Sequence, residues 1–141
     1  MSLHHLIYKS RATVSVDLEV VLSIAQESGT RNSRLGITGI LLATNSHFFQ
    51  ALEGEEKKLT RVYARIARDP RHTDLQLISQ GPIAARQFED WALKGVGLMG
   101  LDDELARHLQ GRYGQEGEEL RFPEGETEAL AFLEDVRRYL R

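Results

Sequence analysis

Short apolar runs that end at turn-forming residues alternate, over the first two thirds of the chain, with longer stretches in which apolar residues recur every three or four positions. The runs 37–43 and 47–53 flank Thr-Asn-Ser at 44–46, which favours a tight turn, so we predict a β-hairpin. Shorter apolar runs predict further strands at 3–9, 75–80 and 91–98, the last with Trp91 and Leu93 on one face.

Two amphipathic helices are predicted between these strands. The first carries its apolar stripe over 18–25 and should end near 28–29, which places Asn32 on the loop that enters the hairpin. The second carries its stripe over 59–66 and should stop at 69–70, where Asp is followed by Pro.

The resulting order, β-α-β-β-α-β-β, is that of a ferredoxin-like α+β fold with both helices on one face of the sheet. We assign this domain to residues 1–98. If the strands take the 4-1-3-2 order of such sheets, Tyr8 on the first strand lies beside Gln50 on the third.

Residues 99–141 form a different kind of segment. Leucines at four-residue spacing over 101–109 predict one helix, a glycine-rich acidic link follows over 111–125, and Thr127 can cap a last helix. Successive residues of a strand point to opposite faces of the sheet, so the face away from the two helices is also apolar, with Phe49 on it. We therefore expect C-terminal accessory helices to cover that face. This extension is either an output surface or only a shield, and the residues favour neither.

Composition narrows the possible functions. The chain has 141 residues, a formal charge of −3 and no cysteine, so one domain is expected, without a disulfide framework, thiolate metal site or thiol nucleophile. No apolar run approaches the ~18 residues needed to cross a membrane, and residues 1–15 lack a secretory signal pattern. We therefore expect a cytoplasmic protein that does not bind nucleic acid directly.

Local motifs for catalysis are weak. Gly95-Val-Gly-Leu-Met-Gly100 matches the dinucleotide fingerprint, but the parallel strand and acidic residue that should follow are missing. The five histidines show no spacing typical of metal ligands, and we expect no metal site. There is also no nucleophile elbow or P-loop.

Polar residues on apolar faces are better candidates for a binding site. Gln50 points to the same side as Phe48 and Leu52, so its amide needs a partner in the core, either the backbone or a ligand with hydrogen-bonding edges. Arg65 lies beside Ile66 on a helix with further arginines. This is either a solvated face or a cradle for a phosphate-bearing aromatic cofactor.

Five segments together resemble the BLUF family of blue-light receptors. They are LIYKS with Tyr8, Asn32 ahead of RLGITGILL, FFQALEG with Gln50, RIARDPRH over 65–72 and FEDWALKG with Trp91, and they cover about residues 3–98 in order. The resemblance implies a ferredoxin-like fold that holds FAD, with FMN as the alternative, non-covalently between the first two helices.

The resemblance also implies roles for individual residues. Asn32 would bond the ring edge, Ile24 and Ile66 would lie on either side of the ring, and Arg65 and Asp69 would contact the ring edge and the phosphate-bearing tail. Gln50 would bridge Tyr8 and the flavin, and Trp91 would complete the photoactive group. After excitation, Tyr8 would give up an electron and a proton and regain both, leaving the Gln50 amide rearranged and the absorption shifted to the red.

The chain departs from the family pattern near the fifth strand. Leu93 and Ala92 stand where Met and Ser are common, and Arg31 stands where Asn or His is common. Because leucine has no sulfur acceptor, the usual route from Gln50 to the fifth strand is in doubt.

We therefore expect a sensory module and not an enzyme, with no fused catalytic domain. It would signal through its fifth strand and C-terminal helices to an unidentified protein, either response-regulator-like or transcriptional, and would form a homo-oligomer. The alternatives are a flavin-dependent oxidoreductase and a cofactor-free ferredoxin-like interaction domain.

Overall fold

A five-stranded sheet in the order β4-β1-β3-β2-β5 organises the protein. The computed structural model describes residues 2–99 and 103–140. The elements are β1 (Leu3–Ala12), α1 (Leu18–Arg34), β2 (Thr38–Ala43), β3 (His47–Glu55), α2 (Glu56–Ala67), β4 (His72–Pro82), β5 (Lys94–Gly97), α3 (Glu104–Tyr113), β6 (Gln115–Glu116), β7 (Glu119–Leu120) and α4 (Glu126–Tyr139).

The strand pairing confirms the predicted hairpin and the predicted order. β3 pairs antiparallel with β1 on one side and with β2 on the other, and β5 joins β2 in parallel. Tyr8 and Gln50 are direct partners across β1 and β3. The α+β class and the ferredoxin-like arrangement are therefore both confirmed.

Each face of the sheet is covered by different helices. On one face α1 and α2 pack over Leu6, Phe48 and Leu52. On the other face Phe49 lies between Phe122 and Phe132, with ring centroids 5.3 Å from each. The tail thus covers the second apolar face, as the alternation in β3 predicted.

α1 is longer than predicted, which corrects the placement of Asn32. The helix does not end near 28–29 but continues to Arg34, so Asn32 lies in its last turn and is buried instead of lying on a loop. The chain leaves the helix only at Gly36, whose φ of +68° glycine adopts without strain. A Cβ at Gly29 would meet Leu93 at an ordinary 3.8 Å, so Gly29 has a packing neighbour and does not end the helix.

β5 is shorter than predicted, and β4 is longer. Trp91 and Leu93 precede β5, which begins at Lys94, so they do not alternate as strand residues. β4 begins at His72 and continues through Gly81 to Pro82, which an edge strand tolerates at its end.

Three details of the tail also differ from the prediction. α3 continues through Gly111 to Tyr113, and the expected link contains the β6–β7 hairpin, with positive φ at Gly114 and Gly117. α4 begins behind Gly125, without a side-chain cap, so Thr127 lies inside the helix. The predicted helix start at 101–102 and the last glycine of 95–100 lie outside the described residues. Within the described ranges, no helix is long and apolar enough to cross a bilayer.

Candidate functional site

A cavity opens between α1, α2 and the helix-covered face of the sheet. All six residues that the family resemblance assigned to the cofactor line it, namely Ile24, Asn32, Gln50, Arg65, Ile66 and Asp69. Tyr8 lines it as well, whereas Trp91 does not. The structure therefore brings together side chains from two helices, β1, β3 and the α2–β4 turn.

Tyr8 and Gln50 form the polar floor of this cavity. Their side chains are 3% and 4% exposed, and the Tyr8 hydroxyl donates to Gln50 Oε1 at 2.5 Å. Burial, first of all, raises the pKa of Tyr8, so the phenol is neutral and acts as the donor. Gln50 must then present its oxygen to Tyr8, which leaves the NH₂ of this cavity-lining residue as a donor without a hydrogen-bond partner among residues 2–99 and 103–140.

His72 is a cavity residue to which the sequence reasoning gave no role. Its Nε2 donates to the Ile66 carbonyl at 2.6 Å, and its Nδ1 lies 2.8 Å from Ser10 Oγ. Because a carbonyl can only accept, Nε2 carries a hydrogen. The ring meets the Tyr8 ring edge-on at 6.2 Å and therefore buttresses the photoactive candidate.

Asp69 is held by Arg71, which the sequence reasoning also left without a role. Arg71 Nε lies 3.0 Å from Oδ1, and its Nη2 lies 2.5 Å from Oδ2. This hydrogen-bonded guanidinium holds the pKa of Asp69 below its usual value. Asp69 is thus an oriented carboxylate at the cavity wall, and direct contact between Asp69 and a cofactor remains a prediction.

Arginines surround the cleft that adjoins the cavity mouth. Arg31 and Arg34 come from the end of α1, and Arg61, Arg65 and Arg68 come from α2 and its end. Of these five, within the part of the chain that the structure describes, only Arg31 has a carboxylate within 4.0 Å, at 3.9 Å in Glu27. A concentration of positive charge in a chain of net charge −3 favours an anionic ligand at this mouth.

Trp91 lies on the other side of the sheet end. Its ring stacks at 6.3 Å on Phe88 and packs against the tail-side core, whereas Leu93 packs on the helix side. The prediction that both residues share one face is wrong, because residues 91–93 are not a strand. The Ala92 carbonyl between them accepts from Asn32 Nδ2 at 3.0 Å, and this bond links the segment to the cavity wall.

The described residues contain no group of three or more side chains that could hold a metal ion. The pattern of the site is instead an apolar slot with a phenol and an amide at its floor and cations at its mouth. This chemistry suits a planar heteroaromatic group that carries phosphate.

Comparison with known proteins agrees with this reading. A family model described as "BLUF: Sensors of blue-light using FAD" matches residues 3–94. The chain is 32% identical over 108 residues to the photoactivated adenylate cyclase subunit alpha of Euglena gracilis, covering 75% of this chain and 10% of that protein. It is 35% identical over 83 residues to the blue light- and temperature-regulated antirepressor BluF of Escherichia coli, covering 59% of this chain and 21% of that one.

A solved structure is similar over nearly its whole length. The dark-state structure of BlrB, a BLUF protein, superposes with a TM-score of 0.76 at 30% identity and covers 98% of this chain and 97% of the other. The chain spans only about a tenth of the length of the cyclase relatives. Since the family match covers well over half of the residues, the chain belongs to the BLUF family of blue-light sensors that use FAD.

Proposed function

We propose that Tyr8 and Gln50 are the photoactive pair of this sensor and that a flavin occupies the cavity beside them. The observation that carries the proposal is the Gln50 amide, which lines the cavity: its oxygen accepts from Tyr8, and its nitrogen has no hydrogen-bond partner among the described residues. A donor that no protein acceptor satisfies can bond an acceptor on a ligand in the cavity, and such a hydrogen bond contributes about 0.5–1.5 kcal/mol net.

The remaining wall residues fit the same ligand. Ile24 and Ile66 come from the two helices and can lie on either side of a flat ring, and Asn32 offers a buried amide at its edge. Arg65 lines both the cavity and the adjoining arginine cleft, and Asp69 lines the cavity, so the two would hold the ring edge and the phosphate-bearing tail.

Flavin supplies blue-light absorption and an electron-accepting ring. In our proposal Tyr8 would give an electron to the bound ring and its hydroxyl proton to Gln50 Oε1, and would then regain both, so that no substrate is consumed. The Gln50 amide would end with its donor and acceptor ends exchanged. Tyr8 and Gln50 are almost fully buried, and His72, bonded to the Ile66 carbonyl, packs edge-on against the phenol ring.

We further propose that FAD is preferred over FMN. The five arginines at the mouth offer more positive charge than one terminal phosphate requires, and FAD carries a diphosphate and an adenosine that can follow the cleft between α1 and α2. Arg61→Gln should weaken binding of FAD more than binding of FMN, measured by titration of the flavin-free protein. Equal loss for both flavins would contradict the preference.

The output is proposed to be binding and not catalysis. Two named relatives are a cyclase subunit and an antirepressor, and both are much longer than the matched region, so each carries additional chain. We propose that this chain acts in the cytoplasm as a homo-oligomer on a response-regulator-like or transcriptional partner, through the surface of its tail. Residues 99–141 are proposed as the signalling extension of a flavin-binding domain at 1–98.

Absorption spectra before and after blue light test the central proposal. Purified protein should be yellow and show a red shift that reverses in the dark, without oxidation of added NAD(P)H. A flavin-loaded sample whose spectrum does not move under blue light would refute it. Light-independent turnover of NAD(P)H would indicate an oxidoreductase instead.

A further inference from the structure

The segment 83–93, here called the strap, carries the chain from one edge of the sheet to the other. It leaves β4 at one edge and reaches β5 at the opposite edge, so it must pass the ends of the strands between them. Phe88 is the only fully buried strap residue, while residues 84, 85, 87, 89 and 90 are exposed. Phe88, Trp91 and Leu93 pack on the cores at one end of the strap, whereas residues 84–87 have little apolar packing of their own.

A cavity also separates the strap from the tail. Ala84, Ala85 and Gln87 on the strap line it from one side, and Glu126 and Leu130 of α4 line it from the other. Because this cavity lies between α4 and residues 84–87, polar contacts with the strand ends act together with the buried Phe88 ring to determine where this part of the strap lies.

Glu53, at the end of β3, makes the first of these contacts. Its side chain is 3% exposed, and its carboxylate accepts from the backbone N–H of Gln87 at 2.7 Å and of Phe88 at 2.9 Å. Thr38 Oγ1 donates to the same carboxylate at 3.2 Å. A buried carboxylate that receives two backbone donors is a strong, charge-assisted anchor.

Arg86 makes the second contact from the strap itself. One guanidinium nitrogen, Nη1, donates to Thr38 Oγ1 at 2.8 Å and to the Glu53 carbonyl at 2.9 Å. The other, Nη2, donates to the Gly36 carbonyl at 2.8 Å. Arg86 thus joins the strap to β2, β3 and the link that follows α1. We call Glu53, Arg86 and Thr38 the clamp.

Beyond the clamp, the strap is bonded to the wall of the flavin cavity. Asn32, in the last turn of α1, donates to the Ala92 carbonyl, and Gly39 N–H donates to the Trp91 carbonyl at 3.0 Å. The strap is therefore fixed at the clamp at one point and at residues 91–92 at another. A change in the hydrogen bonding of Asn32 would therefore shift residues 91–92, while the clamp holds the strap at Arg86 to Phe88.

We propose that Glu53 and Arg86 are positioning residues for the light response, which hold the strap in its dark arrangement and so set the lifetime of the lit state. The inference rests on the proposed function. It offers a route from the cavity to the tail through Asn32 and the Ala92 carbonyl, which needs no sulfur at position 93. When the clamp is broken, the strap loses its pivot, and the return to the dark arrangement slows.

The test uses the full-length, flavin-loaded protein with Glu53→Gln, Arg86→Gln and the double variant. Glu89→Gln, an exposed carboxylate on the strap, and Arg138→Gln, an exposed guanidinium on α4, are the matched controls. Trp91 is the only tryptophan of the chain, so its dark-state quenching by acrylamide reports directly on the strap.

Three results are expected. Dark recovery slows by about threefold or more in each clamp variant, and the double variant matches the singles because the two residues act as one unit. Acrylamide quenching of Trp91 rises in the same variants, and the amplitude of the red shift does not change. Arg86→Lys has a single ammonium in place of the two guanidinium nitrogens, and it should recover faster than Arg86→Gln but more slowly than the wild type.

Thr38→Val provides a milder break of the clamp if a charged-residue variant does not fold. It should shift recovery and quenching in the same direction by a smaller factor. Wild-type recovery and quenching in Thr38→Val and in every folded clamp variant would overturn the inference, as would equal changes in the two controls. A wild-type protein without a red shift would instead refute the proposed function, so the two failures are distinguishable.

Discussion

Tyr8→Phe removes a single oxygen from the floor of the cavity and therefore tests the photoactive pair with the least disturbance. The ring keeps its volume, so no packing cavity is created. What is lost is the bond of 2.5 Å from the hydroxyl to Gln50 Oε1, between two side chains that are almost fully buried.

The stability cost follows from that burial. A typical hydrogen bond contributes about 0.5–1.5 kcal/mol net, but an acceptor left without a donor in a buried place raises the loss to about 1–3 kcal/mol. The urea midpoint of Tyr8→Phe should fall accordingly while the slope of the transition stays the same, at equal flavin loading.

The spectral effect should be much larger than the stability effect. Phenylalanine has no proton to release and is far harder to oxidise, so the variant should bind flavin, remain yellow and show no red shift under blue light. Spectra recorded before and after illumination measure this directly.

Tyr63→Phe is the matched control for this experiment. The Tyr63 ring meets Tyr8 edge-on at 5.6 Å, but Tyr63 is only partly buried and does not line the cavity. It should keep a full red shift. A normal shift in Tyr8→Phe, or an equal loss in both variants, would remove Tyr8 from its assigned role.

Three further predictions concern the core, the fifth strand and pH. Phe132→Ala should destabilise the protein by about 3–5 kcal/mol in urea unfolding, because this ring is fully buried between tail and sheet; a loss below 1 kcal/mol would show that the tail is not integral to the core. Leu93→Met should change the rate of dark recovery by adding a sulfur acceptor, and identical kinetics would show that position 93 is silent. Arg71 lowers the pKa of Asp69 in the folded state, so the ionised carboxylate stabilises the protein at neutral pH, and this stabilisation is lost as the pH falls below about 4. In Arg71→Gln the urea midpoint should therefore fall less between neutral and acid pH than it does in the wild type.

The regular parts of the fold were predictable because local patterns determine them. The turn at 44–46 and the period of two in β3 established the hairpin and placed Gln50 on the helix side and Phe49 on the tail side. The order of elements then implied the strand neighbours, and Tyr8 lies opposite Gln50 as that order required.

The end of α1 and the strap were not predictable in the same way. Ser28 and Gly29 look like a helix end locally, but in the fold Gly29 lies beside Leu93 and the helix continues to Arg34. The clamp joins residues that are 15 to 48 positions apart, and no periodicity signals such polar contacts. His72 and Arg71 were missed because a single histidine or arginine after a helix carries no spacing pattern of its own.

The energies set a limit on how the signal can leave the cavity. Exchanging the ends of one amide changes the balance by roughly one hydrogen bond, about 0.5–1.5 kcal/mol, which shifts a two-state equilibrium by only about 2- to 13-fold. Such a change cannot displace a tail whose aromatic core is fully buried around Phe132. It can move a segment that has a single fully buried ring, lies beside a cavity and is otherwise held by polar bonds and partly buried side chains, and the strap around Phe88 is such a segment. The element that responds first should therefore be the strap, with Phe88 and Trp91 carrying its displacement to the tail-side core.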